Sequence, residues 1–227
     1  MTRTRTEGGW RAGLRVGVTL ALPTAALGIS FGAYAALAGW PPLASILMST
    51  VVFSGSAQFA FVTATAGGGG LLVGLGAAAL MNLRFVPMAA AAARSLHGGR
   101  VRRAFEGQTV VDGSWVAAQR TDGTTDREMM MGATLVQWVA WVAATAAGAL
   151  LVPSAGLTYR LGLDVVFPCF FLLLLLETLR SRPGDRYVAL LAAAIAGLAL
   201  LAVPVGVALL LSAAASLVVL IPRRRSS

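Results

Sequence analysis

The chain reads as a series of apolar runs, each near the length that lipid demands, separated by short polar stretches. Runs at residues 13–38, 43–66, 71–93 and 129–152 match or exceed the roughly 20 residues needed to cross a hydrocarbon core about 30 Å thick. Neither a two-residue alternation nor a 3.6-residue stripe stands out in them, as expected of helices that meet lipid or protein all round. The uninterrupted run 165–176 is shorter and is flanked by Asp164 and Glu177. About 20 Å of helix separates those two acids, less than the hydrocarbon thickness, so at least one is expected inside the membrane boundary. The last stretch, 187–221, would be about 50 Å long as one helix. Pro204, within residues 202–206, supplies a turn that splits it into two short spans. The expected fold class is all-α: a polytopic helical membrane protein with six to eight crossings, one transmembrane domain over residues 1–227, and a polar connection at 94–128.

Composition agrees. With 57% hydrophobic and 12% charged residues and a mean hydropathy of +0.78, the chain lies far from the balance of a soluble domain. The first run lacks a short apolar region followed by a cleavage site, so it is expected to be a retained span rather than a signal peptide. Cys169, the single cysteine, has no disulfide partner within the chain and no metal-ligand spacing, which leaves packing.

Charge constrains the crossings further. All 18 basic residues are arginines, against nine acids, and they flank apolar spans instead of forming one basic face. That pattern fits retention on the cytoplasmic side of a membrane and gives no support to nucleic-acid binding. Seven crossings would put the arginine-rich N-terminus and the arginine-rich 94–128 connection on opposite sides. Two solutions restore agreement. Either the 43–66 segment is broken or re-entrant near residues 50–58, or residues 105–119, otherwise expected to be interfacial or partly inserted, make a short extra crossing. Both give an even number of crossings with both termini in the cytoplasm, and the broken segment is favoured because Ser54-Gly55-Ser56 is a natural place for it.

The polar residues at membrane depth are specific ones. Ser54, Gly55, Ser56 and Gln58 lie in the middle of one run, and Asn82 and Arg84 lie well inside the next. Groups of this kind are costly in lipid unless they face protein or water. With Pro42–Ser49 ahead of them, and with Trp141, Thr145 and the Leu161-Gly162-Leu163-Asp164 run later in the chain, they resemble the AzlC family, the large subunit of bacterial branched-chain amino acid exporters. The resemblance departs at two places. Phe85 follows Arg84 where relatives carry histidine, and Asp112 is followed by Gly113 where relatives carry an Asp-Glu pair.

The resemblance implies export of small apolar amino acids across the bacterial inner membrane by secondary transport, together with a small AzlD-like membrane subunit. A zwitterion needs two opposite partners in an otherwise apolar site. Arg84 is the candidate for the carboxylate, with Asn82, Gln58 and the Ser54-Gly55-Ser56 segment as hydrogen-bonding or helix-break elements. Asp164 and Asp112 are candidate proton carriers or ammonium partners, against plainer roles as a helix cap and a salt-bridged loop residue. Gln58 equally suits an interhelical hydrogen bond, and Arg84 equally suits pairing with a carboxylate of the bundle. No protease, hydrolase or nucleotide-binding signature is present, a single histidine makes no metal site or triad, and no enzyme activity, cofactor or metal is expected. A non-transporting scaffold subunit and an importer remain the alternative readings.

Overall fold

The computed structural model describes residues 8–120, 124–151, 155–181, 186–204, 207–208 and 211–212, with side chains inside 164–181 described in part. Among them all regular structure is helical, apart from an isolated bridge between Gln119 and Thr125. The chain forms two compact units, Met1–Gly55 with Leu83–Asp164 and Ser56–Asn82 with Val165–Ser227. Both are assembled from separated stretches of sequence.

The first unit is built on two long helices, α1 (Trp10–Leu37) and α8 (Arg127–Leu151). Glycines let their backbones touch. A methyl group at Gly13 would overlap Met129, at Gly17 Val136, at Gly28 Ala144, and at Gly32 the backbone of Thr145 and Ala149. The partner numbers rise together, so the helices run parallel. Lipid supplies no hydrophobic drive between helices, and close backbone approach through small residues takes its place.

Two parallel helices require the chain between them to travel back, and here it does so in halves. Helix α2 (Pro42–Val51) starts just past the end of α1. It descends until Ser49 Oγ lies 3.0 Å from Thr145 Oγ1 and the Trp138 indole N–H donates to the Thr50 carbonyl at 3.1 Å. There the helix stops, and α3 (Gly55–Ala64) begins after a three-residue break. The chain rejoins this unit at Leu83. Helix α5 (Phe85–Ala92) completes the descent, and Ala92 packs with Val110, Ala118 and Met130. The break near residues 50–58 is where the sequence placed it. A second break, at Leu83–Arg84, was not foreseen.

The 94–128 connection turns back on itself. Helix α6 (Arg100–Gly107) leads to α7 (Asp112–Ala117), and Gly113 lies against Leu20 and Gln137. Those residues are each ten positions into α1 and α8, or about 15 Å from the shared end. The chain then returns, with the Asp126 N–H donating to the Ala118 carbonyl at 2.8 Å. The segment is thus a hairpin that enters and leaves this unit at one end, the arrangement expected of a partly inserted 105–119. Gly9 N–H donates to Asp126 Oδ2 at 3.1 Å, so the start of α1 and the connection lie at one end, as the arginine pattern required. Beyond α8, α9 (Ala155–Arg160) leads to α10 (Leu163–Ser181), whose first carbonyl accepts from Ser30 Oγ.

The second unit contains a helical hairpin. Among the described residues three stretches are long and apolar enough to cross a membrane, Trp10–Leu37, Gly55–Asn82 and Arg127–Leu151, but the middle one is not a straight rod. Gly67 and Gly68 are non-helical, Gly68 and Gly70 have φ of 80° and 72°, and a methyl at Gly74 would meet Thr65 and Phe61. In a continuous helix Phe61 would be about 20 Å from Gly74. The chain therefore folds back, and α4 (Gly70–Asn82) lies antiparallel to α3, with Ala60, Ala64 and Ala77 between them. Each arm is about 15–20 Å long, short of the hydrocarbon thickness. In the same unit α11 (Arg186–Ala199) ends in the turn before Pro204, and Pro204 lies beside the glycine turn at Gly68. The tail after residue 212, with its three arginines, lies outside the described residues.

Candidate functional site

One face of α8 organises the middle of the first unit. Thr134, Gln137, Trp141 and Thr145 recur at three- and four-residue spacing and are all buried, so they share a side of the helix. The Thr134 hydroxyl donates to the Thr109 carbonyl at 2.8 Å and shares a hydrogen bond with the Ser114 hydroxyl at 2.7 Å, and Gly113 sits on Gln137. One turn further, Gly55 lies under the Trp141 indole. A methyl there would come within 2.7 Å of the ring, so the helix break closes on a residue that must lack a side chain. Phe31 stacks on Trp141 with ring centroids 6.1 Å apart, and Phe53 meets it edge-on at 6.4 Å. The inserted tip of α7 and the interrupted end of α2 thus dock side by side on a single polar and aromatic stripe. Only Trp141 and Thr145 of this stripe figured in the sequence pattern. Thr134 and Gln137 could have been found from their helical spacing within an apolar run.

Next to Gly113 stands the pair Arg84 and Asp112, joined at 2.9 Å between Arg84 Nη2 and Asp112 Oδ2. The second break in the chain explains where Arg84 sits. Pro87 has no N–H to give the Leu83 carbonyl and clashes with it in a regular helix. The Val86 N–H bonds Leu83 instead, at 3.1 Å, and α4 ends before Arg84 while α5 begins after it. Phe85, in the place where the resemblance expects histidine, lies beneath the guanidinium, with Arg84 Cζ 4.9 Å from the ring centroid. An isolated charge at membrane centre costs about 2.5–3.5 kcal/mol on insertion scales, so pairing is what makes both groups tolerable. The pair is not sealed: the side chains are 33% and 53% exposed. Space beside two charges at this depth is water or protein, since lipid would restore the penalty.

The other expected residues fall as follows. Ser54 is buried beside the break in the first unit. Ser56 and Gln58 are buried in α3 of the second unit, Gln58 completely, and Asn82 closes α4 there. Of the expected set, then, the first unit brings Arg84 and Asp112 together, with Ser54 and Gly55 one helical turn away. Asp164 is the second residue of α10, after Leu163, whose carbonyl Ser30 holds, and its side chain lies outside the described residues.

The hairpin tip is held from the arginine-rich end. Glu106, buried on α6, accepts from Arg127 Nε at 2.9 Å, from Arg102 Nε at 2.9 Å and from the His97 N–H at 3.1 Å. The hydrogen bonds from Arg127 outweigh burial and hold its carboxyl at about 2, from an ordinary 4.5. Asp126 caps α8 through the Met129 N–H at 3.0 Å. Burial pushes its carboxyl up, but the hydrogen bonds from Arg120, Met129 and Gly9 prevail and leave it below its usual value. Among the described residues no cluster of histidine, cysteine, aspartate or glutamate is placed to hold a metal.

Half-helices that stop at mid-depth, an inserted hairpin and a buried polar stripe define a polytopic membrane protein whose centre is built from polar groups rather than sealed by apolar ones. The profile of the family described as AzlC protein matches residues 19–154, well over half of the chain, and the chain belongs to the AzlC family. It is 25% identical over 193 residues to the Inner membrane protein YgaZ of Escherichia coli (strain K12), covering 78% of this chain and 76% of that protein. No solved structure matches it.

Proposed function

We propose that the protein is a secondary transporter of the bacterial inner membrane that exports small apolar, branched-chain α-amino acids, working with a small AzlD-like membrane subunit. The observation that carries this reading is the Arg84–Asp112 pair, partly open at mid-depth where two discontinuous elements meet. A zwitterion presents one carboxylate and one ammonium, and a pre-formed pair of opposite charges is its complement: the carboxylate goes to the planar guanidinium and the ammonium to Asp112. The substrate takes the place of the internal partner on each side, so neither charge is ever left bare in a medium of low dielectric. The apolar residues around the stripe, Phe31, Phe53 and Trp141, suit a hydrocarbon side chain and offer nothing to a polar one. Half-helices ending at the site give alternating access its usual material, a few residues of non-helical backbone around a fixed binding point.

The test is counterflow of labelled valine, leucine, isoleucine and methionine in vesicles that carry the chain with its neighbouring small subunit, with and without a pH gradient. Arg84→Ala is expected to lower flux at least about tenfold, the equivalent of about 1.4 kcal/mol, at unchanged expression. Arg84→Lys keeps the charge but loses the planar fork and should fall in between. Full transport by Arg84→Ala would remove the pair from the substrate path, and full transport by the chain alone would remove the partner.

A further inference from the structure

The first unit carries a groove of about 780 Å³ between α2, α6 and α8. Its mouth is at Trp10 and Val101, its middle at Phe105 and Leu135, and its inner end at Phe53 and Trp138. From Trp10, the first residue of α1, to Trp138, eleven residues into α8, it spans about 16 Å, which matches half of a hydrocarbon core about 30 Å thick. Most of its polar wall groups are already engaged: the Thr134 hydroxyl bonds Thr109 and Ser114, the Thr50 hydroxyl bonds Ile46, and the Trp138 N–H bonds Thr50, while Gln108 is an exposed polar residue among those lining it. Such a surface offers a polar solute little and a hydrocarbon chain a good deal.

The mouth carries the charge. On α6, Val101 and Phe105 are 71% and 73% exposed while Arg100, Arg102 and Arg103 occupy other positions around the same short helix, the pattern of a helix lying in the membrane interface. Arg100 shares a face with Ala104, a wall residue of the groove, and Arg11 follows Trp10. The carboxylates of this end are largely neutralised, Glu106 by Arg102 and Arg127 and Asp126 by Arg120. Among the described residues arginines then outnumber acids at this end, with Arg11, Arg94, Arg100 and Arg103 among those set against Glu128.

We propose that this groove is a site for an anionic phospholipid of the adjoining leaflet, one acyl chain lying along it to mid-depth and the headgroup phosphate resting between Arg11 and Arg100. Each arginine near an anionic surface contributes enough to favour a charged headgroup by about fivefold. Phe53 borders both this groove and the aromatic cluster around Trp141, and the test therefore uses no transport assay.

Trp138 reports on the inner end of the groove. The full chain is reconstituted in vesicles in which acyl-brominated phosphatidylglycerol or acyl-brominated phosphatidylcholine replaces the unbrominated lipid, and the fluorescence lost in Trp138→Phe isolates this indole. The expected result is that the Trp138 component is quenched, and half-quenched at a mole fraction of the brominated phosphatidylglycerol about 25-fold lower than of the phosphatidylcholine, about fivefold for each of the two arginines. Arg11→Gln with Arg100→Gln should abolish the preference and keep the quenching, and Ala104→Phe should reduce the quenching itself. Native mass spectrometry of the unsubstituted chain provides a second reading, with phosphatidylglycerol retained preferentially. An unquenched Trp138, which would mean that protein covers the groove, overturns the proposal, as does equal quenching by the two lipids or the absence of retained phosphatidylglycerol.

Discussion

A buried carboxylate persists where cations and N–H groups hold its charged form, and Glu106 has two arginines and a backbone N–H. Because its carboxyl sits at about 2 when folded and near 4.5 otherwise, the folded state binds the proton more weakly than the unfolded state does. Its contribution is therefore complete above about pH 4.5 and is lost as pH falls towards about 2. Asp126 is shifted in the same direction. Melting of the detergent-solubilised protein should accordingly fall steeply across that window, and Glu106→Gln should both lower the melting temperature at neutral pH and flatten the fall. A variant as acid-sensitive as the parent would show that Glu106 does not anchor the hairpin. At this scale sequence foretold kinds of residue better than their partners. Arg84 was recognisable as a charge that needed an answer, and Asp112 was already a candidate. That the two answer each other depends on α7 inserting to the depth of Gln137, which no spacing along the chain encodes.

Elements were legible where a single residue type decides the backbone. The tetraglycine at 67–70 and the Ser-Gly-Ser at 54–56 are a turn and a helix boundary in the structure, because side chains are absent or small where the backbone must bend or pass close. Pro87 carried an equally physical signal, a missing donor four residues after Leu83, yet within a run of apolar residues it read as part of one continuous span. Register was not legible. Gly13, Gly17, Gly28 and Gly32 are spaced to let a helix approach, but only the structure gives α8 as the partner, with Gly148 answering from its side. Gly32→Ala and Gly148→Ala each set a methyl against backbone, of Thr145 and of Ile29, and backbone cannot turn aside. Each should destabilise by about 1–3 kcal/mol, read as a lower melting temperature in detergent. Gly107→Ala, with nothing within 4 Å, should stay within about 0.5 kcal/mol. Equal behaviour of the three would show that α1 and α8 do not pack through these glycines.

For the molecule as a whole, the parallel course of α1 and α8 is the strictest constraint. It fixes the start of α1 and the 94–128 connection at one end, and it obliges the stretch between the two helices to make one net return. The first unit makes that return from two half-helices, leaving at Gly55 and resuming at Leu83. The interruption is where Arg84 enters the middle of the structure, so the same topology that satisfies the arginine asymmetry also creates the polar centre. With Arg11, Arg15 and six further arginines near the shared end and Arg160 beyond the far end of α8, the shared end is expected in the cytoplasm. Single cysteines introduced at Arg11, Thr124 and Arg160 in a Cys169→Ser background test this with a membrane-impermeant maleimide. Arg11→Cys and Thr124→Cys should both react in inverted vesicles and resist in intact cells, while Arg160→Cys should do the opposite. Reaction of the first two from opposite faces would break the parallel pair and the half-helix return with it. Reaction of both from outside would keep the fold and reverse its orientation in the membrane, which would then set the positive-inside pattern of this chain against its own architecture.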